Sequence, residues 1–122
     1  MVKISQDDSM YAANKRVLVY TVTDEDTSTP LNMSTYTVKW AMSRIDSEGN
    51  FLTSPVLEKT EASGIAISGD DSEIASVTIE TADTSNTLTG DFYTELEVTD
   101  SSSESVVVAT GTLTILRNVE NT

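Results

Sequence analysis

Apolar side chains recur at every second position over most of the chain, the spacing of strands that turn one face to a core. Lys15 to Thr23 sets Val17, Val19 and Thr21 against Leu18, Tyr20 and Val22; both sets are partly apolar, so the pattern leaves the inward face open. The run Asp24-Glu25-Asp26-Thr27-Ser28-Thr29-Pro30 then breaks the alternation with turn residues. Tyr36, Val38, Trp40 and Met42 share one face of the next strand, and Trp40 is its expected core anchor. Ile45 to Phe51 reads as a turn into a short strand, with Glu48-Gly49-Asn50 supplying residues that tolerate positive φ. Pro55 opens a short edge segment, Val56 to Lys59. Ile65 and Ile67 are the inward pair of the segment after it. Val77 and Ile79 share a face over Ile74 to Thr81, and Ile74 falls off that register, which predicts a bulge near Ala75. Ala82 to Leu88 reads as a short helical or turn connection, with Asp83 placed to cap the donors that follow it. Phe92, Thr94, Leu96 and Val98 alternate cleanly with Tyr93, Glu95, Glu97 and Thr99. Val107, Ala109, Leu113 and Ile115 take one register of the last strand, where Gly111 predicts a close backbone approach.

About seven strands with turn signals every 8–12 residues predict an all-β, immunoglobulin-like antiparallel β-sandwich. The length of 122 residues fits one domain. Its expected division is an N-terminal arm over 1–14, where no periodicity is visible, a sandwich over 15–118, and a polar tail over 119–122.

Charge narrows the partners. The formal net charge of −13 repels phosphate backbones and anionic lipid, so neither nucleic acid nor a membrane is expected as a partner. No apolar run approaches the roughly 20 residues of a membrane span, and Met1 to Asp8 turns acidic at once, unlike a signal peptide. There is no cysteine and no histidine, which excludes disulfides, thiolate metal sites, Cys nucleophiles and Ser-His-Asp triads. The five glycines form no phosphate-binding spacing. Asp24-Glu25-Asp26 and Asp70-Asp71 with Glu73 are the only acidic clusters; neither has the spacing of a Ca²⁺ loop, and both read as solvated turn carboxylates. Asn32-Met33-Ser34 matches a glycosylation acceptor by three residues only. Met10-Tyr11 and Met33 to Tyr36 are either exposed contacts or core and edge filling. The expectation is a non-enzymatic chain with no catalytic residue, no cofactor and no metal.

The C-terminal half carries a resemblance. Gly64-Ile65-Ala66-Ile67 precedes an acidic turn, then come Val77-Thr78-Ile79, Ala82-Asp83-Thr84 ahead of Leu88, Gly90-Asp91-Phe92-Tyr93-Thr94-Glu95-Leu96-Glu97-Val98-Thr99-Asp100, and Val108-Ala109-Thr110-Gly111-Thr112-Leu113-Thr114-Ile115. With Val38-Lys39-Trp40, this order resembles the small immunoglobulin-like domains of tailed-bacteriophage structural proteins, including the N-terminal domain of baseplate upper proteins, over about residues 15–117. An "Arg-Gly-Asp-Thr"-like opening is replaced by Gln6-Asp7-Asp8-Ser9. The resemblance implies a virion component made in the host cytoplasm: a capsid decoration protein or a neck, tail or baseplate subunit. Its implied partners are other phage structural proteins in a symmetric multi-copy assembly. The alternative reading is an adhesion or carbohydrate-binding module of a surface assembly.

Overall fold

The computed structural model describes residues 4–24, 27–46, 48 and 50–119, with side chains at all of these but 4 and 51–53. Glu25, Asp26, Ser47 and Gly49 of the expected turns, the Phe51 side chain and 120–122 of the expected tail lie outside the described residues. In chain order the strands are β1 (Ile4–Ser5), β2 (Asp8–Tyr11), β3 (Arg16–Thr21), β4 (Thr23–Asp24), β5 (Thr29–Pro30), β6 (Thr37–Ile45), β7 (Phe51–Thr60), β8 (Ile65–Ser68), β9 (Ile74–Ile79), β10 (Gly90–Thr99) and β11 (Ser105–Leu116). Single 3₁₀ turns span Met33–Thr35 and Thr81–Asp83.

Two sheets form the sandwich. The larger has the order β1-β11-β10-β6-β7, with β2 also on β11; the smaller is β3-β9-β8. Pairing is antiparallel except where β1 and β2 run parallel to β11. Counting β2, β3, β6, β8, β9, β10 and β11 as strands one to seven, the second, fifth and fourth (β3, β9, β8) lie on one side and the third, sixth and seventh (β6, β10, β11) on the other, which is the immunoglobulin arrangement, here with an extra strand, β7, beside β6. The sandwich fold expected from the periodicity is therefore the observed one.

The inward faces follow the alternation. Leu18, Tyr20 and Val22 from β3 and its end meet Val38, Trp40 and Met42 from β6, and Phe92, Leu96 and Val98 from β10. Trp40 is fully buried at the centre. Its indole N–H donates to the Tyr20 hydroxyl at 3.1 Å. Burial pushes the Tyr20 phenol up, and hydrogen bonds with Trp40 and Thr94 work against that shift. A polar trio thus joins the two sheets, in a chain with no cysteine to bridge them.

Several details differ from the sequence reading. The expected arm, 1–14, contributes β1 and β2 to the large sheet, because parallel pairing on β11 needs backbone groups and no side-chain pattern. Gly111 permits this: a Cβ there would stand 1.7 Å from the Gln6 carbonyl oxygen. The Gln6 N–H donates to the Thr110 carbonyl and the Thr112 N–H to Asp7 Oδ1, both at 2.9 Å. β9 has no bulge; Ile74 simply faces outward with Ser76 and Thr78 while Ala75 faces the core. The bulge lies instead between β10 and β11, where Leu96 is opposite Ala109 and Glu97 opposite Val107. It buries Val108 and Ala109 together in place of the expected Val107. Pro55 does not open a segment but sits inside β7, which tolerates it as an edge strand with register shifts. Asp83 caps backward: its Oδ2 accepts the Glu80 N–H at 2.7 Å.

Candidate functional site: the outer faces of the two sheets

The outer faces differ sharply in charge. On the large sheet β10 presents Asp91, Tyr93, Glu95 and Glu97 in a line, and β7 adds Glu58 opposite Ala41. Lys39, opposite Glu97, bonds Glu58 at 2.8 Å and is held above the usual lysine range by that hydrogen bond and charge. Partial burial, with the Glu95 carboxylate that accepts its proton at 2.9 Å, pushes the Tyr93 phenol up to about 12. This face is acidic.

The small sheet's outer face carries no charge. Its register sets three rows: Val17, Thr78 and Gly64; Val19, Ser76 and Ala66; Thr21, Ile74 and Ser68. Val17 and Val19 are 42% and 50% exposed. A Lys15–Glu80 pair at 3.8 Å closes one end, and the Gly69-to-Ser72 turn follows Ser68 at the other. In a chain of net charge −13, an uncharged field with exposed valines is poorly suited to water.

Two turn aspartates bond the backbone of their own turns. Asp46 Oδ1 accepts from the Glu48 and Asn50 amides, and Asp100 Oδ1 from the Ser102 and Glu104 amides. Asp70 and Asp71 are exposed, and Asp24 ends β4. Among the described residues no three carboxylates converge to hold a metal ion, and no helix is long and apolar enough to cross a membrane.

Other singled-out residues fall into place by burial. Met10 and Met33 are core, whereas Tyr11 is 54% exposed. Asn32 caps the first 3₁₀ turn, its Oδ1 accepting from the Ser34 amide at 2.9 Å. Trp40, Tyr20 and Phe92 are inside, so they offer no stacking platform to a sugar. Sequence reasoning missed the uncharged face, because the inward side of β3 could not be chosen from its own pattern. It also missed Lys59, which is buried with its Nζ 2.6 Å from Asp83 Oδ2. Partial burial would raise the Asp83 carboxyl, but Lys59 and the Glu80 amide outweigh it and hold the group below its usual value.

The arrangement defines the class: an immunoglobulin-type sandwich with one acidic and one neutral face. No protein-family model and no curated protein matches the chain. Among solved structures it is similar to Dpr1 IG1, crystallised bound to DIP-eta IG1, at 16% identity and TM-score 0.45, over 93% of this chain and 90% of that one. It is similar to the ZIG-8 IG1 homodimer at 16% identity and TM-score 0.41, over 97% and 84%. It is similar to CopC from Methylosinus trichosporium OB3b at 14% identity and TM-score 0.38, over 93% and 88%. The strand order itself defines the fold.

Proposed function

We propose that the chain is a non-enzymatic structural subunit of a tailed-bacteriophage virion, a capsid decoration protein or a neck, tail or baseplate component. It acts through protein–protein contacts with other phage structural proteins. The observation that carries the reading is the resemblance of the run from Gly64 to Ile115, which covers β8, β9, β10 and β11. The surface supports it chemically. An uncharged field on a strongly acidic domain suits contact with protein, while the acidic remainder keeps copies apart and repels nucleic acid. Gradient-purified particles of the phage that encodes the chain provide the test. The chain co-sediments with them and withstands a high-salt wash; its absence from particles, with all of it left in the soluble lysate, would refute the reading.

A further inference from the structure

Sheet edges invite pairing with another chain, and proteins usually blunt them with proline, charge, bulges or a covering strand. Three edges of this sandwich are treated so. β7 carries Pro55 and register shifts, β8 is four residues long, and β1 and β2 cover β11. β3 is not. It is an edge strand of six residues with no proline and an unbroken register on β9.

Its open side can be assigned. The Val22 N–H donates to the Glu73 carbonyl, and the Thr78 N–H to the Gly64 carbonyl, both at 2.9 Å. In an antiparallel ladder the bonding direction alternates. Arg16, Leu18 and Tyr20 therefore bond to β9, and the backbone groups of Val17, Val19 and Thr21 point outward from the sheet edge. The same three residues carry the outward side chains.

The charges of this stretch lie at its ends. Lys15, exposed and 3.8 Å from Glu80, and Arg16, held by Asp8 at 3.1 Å, stand at one end and Asp24 at the other, with no charge from Val17 to Thr23. An antiparallel copy of such a stretch is its own complement. A two-fold axis at Val19 sets Val17 opposite Thr21 and Val19 opposite Val19. It also lays Lys15 of each copy beside Thr23 and Asp24 of the other. The outer face of the large sheet, with Asp91, Glu95 and Glu97, would bring carboxylates of two acidic copies together, whereas Val17, Val19 and Thr21 are uncharged.

We propose that β3 pairs antiparallel with β3 of a second copy, joining the two three-stranded sheets into one of six about a two-fold axis at Val19. Such a contact is isologous and small, so the dimer is a weak one that a multi-copy assembly strengthens. The inference goes beyond the virion reading and does not depend on it.

The test is sedimentation velocity of the purified chain from about 5 to about 500 μM. A monomer–dimer equilibrium is expected. Val19→Pro removes an outward N–H that the monomer does not use, and abolishes the dimer while Trp40 fluorescence stays native. Lys15→Glu and Asp24→Lys, both at surface-accessible positions, each weaken it roughly tenfold or more. Mixed together, those two variants restore association, because each then meets its opposite charge at both ends. A chain that stays monomeric throughout overturns the proposal and leaves the edge to a strand of another protein. A dimer that survives Val19→Pro, or single variants whose mixture does not associate, overturns it too. The assay uses the chain alone, so its failure and absence from particles are separate results.

Discussion

The Lys59–Asp83 pair ties the edge strand β7 to the turn after β9, and so clasps the two sheets on one flank. Lys59 has 9% of its side chain exposed and Asp83 has 21%. The lysine stem passes over Gly64, where a Cβ would stand 3.2 Å from Lys59 Cδ. Asp83→Asn leaves the ammonium buried without its counter-charge. Breaking a buried pair costs about 3–5 kcal/mol, and partial exposure of Asp83 brings the expected cost down to about 2–3 kcal/mol. Lys59→Met keeps the stem and leaves Asp83 its Glu80 amide and water, so about 1 kcal/mol is expected. The double variant should lie near Lys59→Met alone, a coupling of about 2–3 kcal/mol. Urea unfolding followed by the single tryptophan measures all three. With a slope of about 1–3 kcal/mol per molar, Asp83→Asn lowers the midpoint by roughly 0.7–3 M. Equal costs for the two single variants, or additive costs in the double, would show that water already screens the pair.

Acid acts on the same group. Its folded-state value lies below the unfolded one, so the unfolded chain binds the proton first as pH falls. Stability from Asp83 is full above about pH 4 and is lost as pH falls through the lower folded value; Asp83→Asn lacks that component of the acid transition. Tyr20→Phe deprives the buried Trp40 N–H of its acceptor and should cost about 1–3 kcal/mol in the same urea assay, and no measurable loss would deny the trio a structural role. Gly111→Ala drives a methyl into the Gln6 carbonyl, so β1 and the Gln6-Asp7 crossing should detach; hydrogen exchange at the Gln6 and Thr112 amides should rise while that of the β6 amides stays slow. Unchanged exchange at Gln6 and Thr112 would contradict the close approach.

Strands whose two faces differ strongly were legible in the chain. Val38, Trp40 and Met42, and Phe92, Leu96 and Val98, point inward as their spacing requires. β3 was ambiguous because valine lies on both faces, and its exposed valines are the ones the proposed pairing uses. Single-strand periodicity carries no signal for a surface whose outer residues are β-branched. The β11 bulge was hidden in the run Val106-Val107-Val108-Ala109, where every register looks apolar. Parallel strands β1 and β2 were hidden because main-chain bonds and the close approach at Gly111 hold them. Lys59 read as an edge cation, since its partner lies 24 residues further on in a different layer. The Asx-type bonding of Asp46 and Asp100 was not legible in spacing and needed coordinates.

Copy number per particle tests the central claim most directly. Quantitative mass spectrometry of washed virions, scaled to the major capsid protein, should return a fixed number of copies set by the symmetry of one attachment site. A value of zero, or a trace amount that varies between preparations and falls with each wash, would contradict a structural subunit.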